Sequence, residues 1–242
     1  MKATKNSVLI VGYGVVGHNL AKELAVLEPD IYDKYHTESN TKRNITYDFA
    51  FICVDTPVRC DTNFLEDAIS ETKAKIYIIK STVLPGTTER FSHAIFSPEY
   101  YGSTQHCNNF NFNFTILGGE KSDCLAVQQL LQNVYDGTHT FRIVDARTAE
   151  LVKFMENSWL ATKVSFCGQF YEIAEKCNVN YEELRELFIL DPRVNPSHTF
   201  IYKDHPYWDS HCLNKDVPAI AEKYDAELLK AIIEYNKKRV NG

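Results

Sequence analysis

An α/β fold is predicted for this chain: a doubly wound, mainly parallel sheet followed by an all-helical region. Two observations carry that prediction. Through the first 145 residues, short β-branched runs alternate with helical patterns, as strand–helix–strand units require. From Ala146 onward the apolar spacing is helical. The expected domains are therefore 1–145 and 146–242.

Val8–Val11 reads as the first strand, and the turn Gly12-Tyr13-Gly14-Val15-Val16-Gly17 leads into a helix over Val15–Leu27. A short strand, Ile31-Tyr32, ends at Asp33. His36–Thr46 is polar without a helical stripe and reads as a loop. Strands follow at Phe49–Val54, Ile76–Ile79, Phe114–Leu117 and Phe141–Val144, with helices at Phe64–Thr72 and Ser122–Val134. From Ala146 to Cys177 no Pro interrupts a helical series that includes Leu151, Phe154, Met155, Trp159, Phe166, Phe170 and Ile173. Asp145 or Thr148 is placed to cap its start. So long and aromatic a helix predicts packing on a partner subunit, a homodimer through 146–177; pure intrachain core is the plainer alternative. Asn180 is expected to cap a helix over Tyr181–Leu190, which Asp191-Pro192 ends. Arg193–Leu213 reads as an irregular, function-bearing loop. Two last helices, about Val217–Lys223 and Asp225–Lys238, end in the basic run Lys237-Lys238-Arg239.

Composition narrows the class. A hydrophobic content of 44% and a charged content of 24% are ordinary for a globular protein. The net charge of −6 argues against a general nucleic-acid binder. No apolar run is long enough to span a bilayer, and the N-terminal run is too short for a secretory signal. The seven cysteines never fall in Cys-x-x-Cys spacing, which argues against a disulfide framework or zinc site and for a reducing cytoplasm. His198, His205 and His211 lack metal-ligand regularity, so no metal is expected.

The glycine turn carries the first chemistry. Gly12 suits a tight turn, Gly14 a close backbone approach to a pyrophosphate, and Gly17 close packing of helix on sheet. Val15 and Val16 open the helix, whose free N–H groups and positive dipole end suit phosphates. Asp33 stands 21 residues after Gly12 at a strand end, where a carboxylate binds ribose hydroxyls and repels a 2′-phosphate. This is a Rossmann-like dinucleotide domain with NAD favoured over NADP; Lys34 beside Asp33 pulls the other way.

The remaining motifs are Ile52-Cys53-Val54-Asp55-Thr56-Pro57, Lys80-Ser81-Thr82-Val83-Leu84-Pro85-Gly86-Thr87, Ser97-Pro98-Glu99-Tyr100, Ala149-Glu150-Leu151-Val152-Lys153 with Asn157, Asp191-Pro192-Arg193, and Cys212 with Lys215-Asp216. In order and spacing they resemble the UDP-glucose/GDP-mannose dehydrogenase family, the UDP-glucose 6-dehydrogenases above all. The resemblance implies NAD-dependent oxidation of a sugar-nucleotide alcohol to a carboxylate by two hydride transfers. Cys212 is implied as the nucleophile, forming a thiohemiacetal and then a thioester. Lys153 and Asn157, four apart on one helix face, are implied to stabilise oxyanion charge. Glu99 is implied to activate water for thioester hydrolysis, with Asp216 orienting or activating it beside Thr82. Thr56 and Thr82 match cofactor contacts. Glu99, Lys153, Asn157 and Arg193 are expected to meet substrate, Arg193 through a phosphate.

Three features depart from the family pattern. Asp209-Ser210-His211 replaces glycines before the cysteine, Asn214 replaces a proline, and Tyr100-Tyr101-Gly102 replaces a Leu-Arg-like continuation. The family's third domain, which grips the nucleotide, has no expected counterpart in these 242 residues. Two other readings therefore stand beside the first: a dehydrogenase of a smaller sugar or hydroxy acid, and a non-catalytic or partner-dependent NAD-binding homologue. Cys212 as an inert buried thiol is the plain alternative for that residue.

Overall fold

The computed structural model describes residues 6–35, 45–101 and 112–240. They form two compact units, Met1–Lys153 and Phe154–Gly242, so the division falls inside the long helix rather than at 145/146. Most of the expected loop at His36–Thr46 lies outside the described residues.

The first unit is built on a seven-stranded sheet in the order β2-β1-β3-β4-β5-β6-β7. The strands are β1 (Val8–Val11), β2 (Asp30–Tyr32), β3 (Tyr47–Ile52), β4 (Ala74–Ile79), β5 (Ala94–Phe96), β6 (Phe114–Gly118) and β7 (Thr140–Val144). All neighbours run parallel except β5 and β6. Strand order reverses at β1, with β2 on one side and β3 on the other; open α/β sheets bind ligands at such a switch point.

Alternation along the strands buries both faces. On one, Ile10, Phe51, Ile78 and Ile95 pack with Leu20 of α1 (Val15–Glu23) and with Val127 and Leu130 of α3 (Lys121–Leu131). On the other, Leu9, Val11, Ile52 and Phe96 pack with Leu65 and Ala68 of α2 (Asn63–Glu71). Each such fully buried Leu, Ile or Phe contributes about 1.5–3 kcal/mol. The expected helix Val15–Leu27 divides into α1 and a 3₁₀ turn at Ala25–Leu27. Strand β5 was not legible: three residues between His93, at φ +52°, and Ser97-Pro98 show no period.

The second unit is helical. Helix α4 (Ala146–Lys176) starts behind Asp145, which accepts from Thr148 N at 2.8 Å and settles which residue caps it. Asn180 caps α5 (Tyr181–Phe188) by accepting from Glu182 N and Glu183 N. Helices α6 (His211–Lys223) and α7 (Glu227–Val240) pack around Ala161, Trp208, Leu213, Val217 and Ile232. Asn236 holds Trp208 from both sides, accepting from its N–H and donating to its carbonyl.

The start of α6 corrects the sequence reading. Cys212 lies not in a loop but in the first turn of a helix that begins at His211, six residues before Val217. Ser210 caps it, accepting from Leu213 N at 3.2 Å. Pro218 sits in the interior of α6, although proline favours a helix's first turn. Among the described residues, no helix is long and apolar enough to cross a membrane.

Candidate active site

In the first unit the glycine turn leaves β1 and caps α1. Gly12 has φ +90°, and a Cβ there would stand 2.7 Å from Cys53 O. A Cβ on Gly17 would lie 1.9 Å from Gly12 O, so helix and turn touch backbone to backbone. At Gly14, the N-cap residue of α1, a Cβ would meet nothing within 4 Å. Two glycines thus serve packing, and the third opens a cradle at a helix N-terminus. Val15 is exposed beside it, and Val16 packs partly buried against the core.

Asp33 closes the cradle at the end of β2. Its carboxylate accepts from Tyr13 N at 2.6 Å and Tyr35 N at 2.7 Å. The backbone therefore orients the acid that sequence reading assigned to a ribose. Lys34 turns instead to α2, 3.2 Å from Glu71 and 4.0 Å from Asp67. Its hydrogen bond and ion pair with Glu71 raise its pKa. The basic residue that weighed toward NADP is thus engaged by two carboxylates. Open glycine, helix N-terminus and strand-end acid together fit an adenine dinucleotide without a 2′-phosphate.

The ends of β3 and β4 are tied together. Buried Thr56 donates to Thr82 O at 2.7 Å, and Ser81 Oγ donates to Val54 O at 2.6 Å. Lys80 is buried and donates to Ser97 Oγ at 2.9 Å; burial lowers its pKa. Glu150, fully buried in α4, accepts from Gly86 N at 2.5 Å and from Thr88 N and Oγ1 at 2.8 and 2.6 Å. Sequence reading gave Lys80 and Glu150 no role. Each lies inside a quoted motif, and only the burial of its charge singles it out.

Glu99 and Lys153 form a buried pair, each 6% exposed. Lys153 Nζ donates to Glu99 O at 2.6 Å, lies 3.6 Å from Glu99 Oε1 and stands 5.2 Å from the Tyr100 ring centroid. Tyr101 N donates to the other carboxylate oxygen at 2.8 Å.

The second unit holds the other set. Asp216, fully buried, accepts from Asn157 Nδ2 and from Lys215 Nζ, both at 2.6 Å. Cys212 is half-buried at the second position of α6, where the helix dipole favours negative charge. Asn214 donates to Asp209 at 2.6 Å, so two of the departing residues bond one another. Arg193 is 87% exposed and forks onto the Asp191 carboxylate, 2.6 Å from Oδ2.

Comparison with known proteins decides the family. The model of the UDP-glucose/GDP-mannose dehydrogenase family, central domain, matches residues 147–238, from α4 into α7. The UDP-N-acetyl-D-mannosamine dehydrogenase of Methanocaldococcus jannaschii is 31% identical over 216 residues, 78% of this chain and 48% of the relative. The chain belongs to the UDP-glucose/GDP-mannose dehydrogenase family. The UDP-glucose 6-dehydrogenase of Rickettsia prowazekii is 28% identical over 241 residues, 88% of this chain and 54% of the relative. The solved structure of a UDP-glucose dehydrogenase from Pyrobaculum islandicum shares the fold, with a TM-score of 0.80 at 21% identity over 98% of this chain and 69% of that one. This family member spans about half the length of the curated relatives it matches.

Proposed function

We propose that this chain carries out NAD-dependent oxidation of a UDP-linked sugar alcohol to its carboxylate, with Cys212 as the covalent nucleophile. The observation that carries the reading is the burial of paired charge. Glu99, Lys153 and Asp216 are held by hydrogen bonds away from water, and the Lys215 side chain, 12% exposed, pairs with Asp216. Burying ions to fill space is costly when apolar residues would serve, and such groups concentrate at reactive sites.

The dinucleotide supplies the hydride acceptor. Gly14 and Val15 would hold its pyrophosphate at the N-terminus of α1, on a turn that Gly12, Val16 and Gly17 fix by packing; Asp33 would receive the ribose hydroxyls, and Thr56 and Thr82 would contact it from beyond the ends of β3 and β4. The substrate alcohol loses a hydride and its hydroxyl proton to become an aldehyde. Cys212 sulfur adds to the aldehyde carbon, giving a thiohemiacetal whose C–H is again a hydride source. Loss of that hydride to a second oxidised dinucleotide, with the hydroxyl proton passing to solvent, would leave a thioester on Cys212. Water then adds to the carbonyl and expels the thiolate, releasing the acid. Lys153 and Asn157 donate to the oxyanion at each tetrahedral stage. Glu99 takes the proton of the attacking water, and Asp216, held by Asn157 and Lys215, orients it with Thr82. Arg193 binds substrate phosphate once it leaves Asp191.

The relatives named above act on UDP-glucose and on UDP-N-acetyl-D-mannosamine, so both sugars belong in the test. The expected result is reduced dinucleotide formed with one of them, at two equivalents per sugar. Turnover of a free sugar or hydroxy acid alone would favour the smaller-substrate reading; dinucleotide binding without turnover would favour the non-catalytic one.

Homodimerisation through α4 belongs to the same proposal. Met155, Trp159, Phe166 and Phe170 recur at helical spacing and stand 75%, 60%, 50% and 41% exposed. An apolar stripe of that kind marks an interaction face. The absence of a basic surplus argues against nucleic acid as a partner, and a reducing cytoplasm suits the free thiols.

A further inference from the structure

We propose that Tyr101 is a positioning residue for the Glu99 carboxylate and that Glu23, at the end of α1, holds it in place. This rests on the reading above, in which Glu99 serves the hydrolytic step.

The two oxygens of Glu99 have different partners. Oε2 accepts from Tyr101 N at 2.8 Å, and Oε1 lies 3.6 Å from Lys153 Nζ. A carboxylate held by a fixed N–H on one side and an ammonium on the other cannot rotate freely, so one plane is imposed. The N–H can do this only while the backbone at Tyr101 stays in place. Its side chain supplies the anchor. Tyr101 Oη donates to one oxygen of Glu23, and Tyr135 Oη donates to the other.

Tyr135 is fixed in turn. Its ring stacks on His139 at a centroid distance of 3.9 Å and 5° between planes, and His139 Nε2 lies 2.8 Å from Thr115 Oγ1. Burial and the Glu23 charge keep the Tyr135 phenol protonated, and therefore a donor. Behind Glu99, Lys80 pins the fully buried Ser97. The segment Ser97–Tyr101 is thus held at both ends, and the reactive carboxylate lies between the two pins. The network meets α1 at its last residue, Glu23, about two turns from the helix N-terminus that would bind the dinucleotide. Its loss should therefore affect the chemical step and spare cofactor binding.

The test is Tyr101→Phe, which removes one oxygen and keeps the backbone N–H. A misaimed base slows hydrolysis, so kcat should fall about tenfold while the KM for the dinucleotide stays within about twofold. An acyl adduct on Cys212 should accumulate, visible in the intact mass. Glu23→Ala should reproduce both effects, and the double variant should be no worse than either single one, because the residues act as a unit. A Tyr101→Phe protein of lower thermal stability with wild-type kcat and no adduct would make the tie merely structural and overturn the proposal. If the wild-type chain turns over no nucleotide sugar, the proposed function fails and amide hydrogen exchange decides the positioning. The amide at position 101 should be protected in the wild type and exchange at least about tenfold faster in both variants. Equal exchange would overturn it.

Discussion

Cys53 and Cys212 show how placement sets the chemistry of one residue type. Cys53 lies buried at the end of β3, and burial pushes its thiol up to about 12. Cys212 is half-buried in a helix's first turn. Brief iodoacetamide treatment of the native protein should label Cys212 and the exposed Cys177 and spare Cys53, as peptide mapping would read; labelled Cys53 would contradict this placement. Lys80 gives a pH-dependent counterpart. Burial holds its ammonium below the ordinary 10.5. Between that lowered value and 10.5 the unfolded chain binds more protons, so stability rises with pH, by at most about 1.4 kcal/mol per unit. Lys80→Met removes this term. Urea unfolding should show wild type gaining on the variant as pH rises toward 10.5; a constant difference would refute it. Neither contrast was legible in the sequence, because burial, not residue type, creates it.

At the scale of elements the glycine turn separates packing from binding. Gly17→Ala forces a Cβ to within 1.9 Å of Gly12 O and should destabilise the first unit by about 3 kcal/mol or more. Gly14→Ala meets nothing within 4 Å, so its melting temperature should stay near wild type while affinity for the dinucleotide falls. Thermal unfolding and titration calorimetry check both, and reversed outcomes would remove the cradle. The tight turn at Gly12 and the close packing at Gly17 were legible because each is a backbone requirement that spacing alone expresses. The cap at Asn180 and the run of α4 were legible for the same local reasons. Strand β5 and the start of α6 were not. Three residues in a sheet interior owe their conformation to neighbouring strands, and a helix crossing Pro218 is set by the Ser210 cap and the core around Leu213 and Val217. Ser210→Ala should therefore cost about 1 kcal/mol in chemical unfolding of the second unit.

At the scale of the molecule, the exposed stripe on α4 predicts self-association. Trp159→Glu should shift the chain from dimer to monomer in light scattering without loss of helix content; a wild-type monomer would contradict the assignment. Family membership was legible across the chain because most of its motifs lie at strand and helix ends, where backbone geometry restricts the residues that fit. The partners that hold them were not, since Asp33 with Tyr13, Glu150 with Gly86 and Glu99 with Lys153 meet only on folding. Two-step oxidation through Cys212 is decided by product analysis with NAD and each UDP-sugar, wild type beside Cys212→Ser. Wild type should yield two reduced dinucleotides and one uronate per sugar, and the serine variant no uronate. Uronate from the serine variant, or no reduced dinucleotide from the wild type with either sugar, would contradict it.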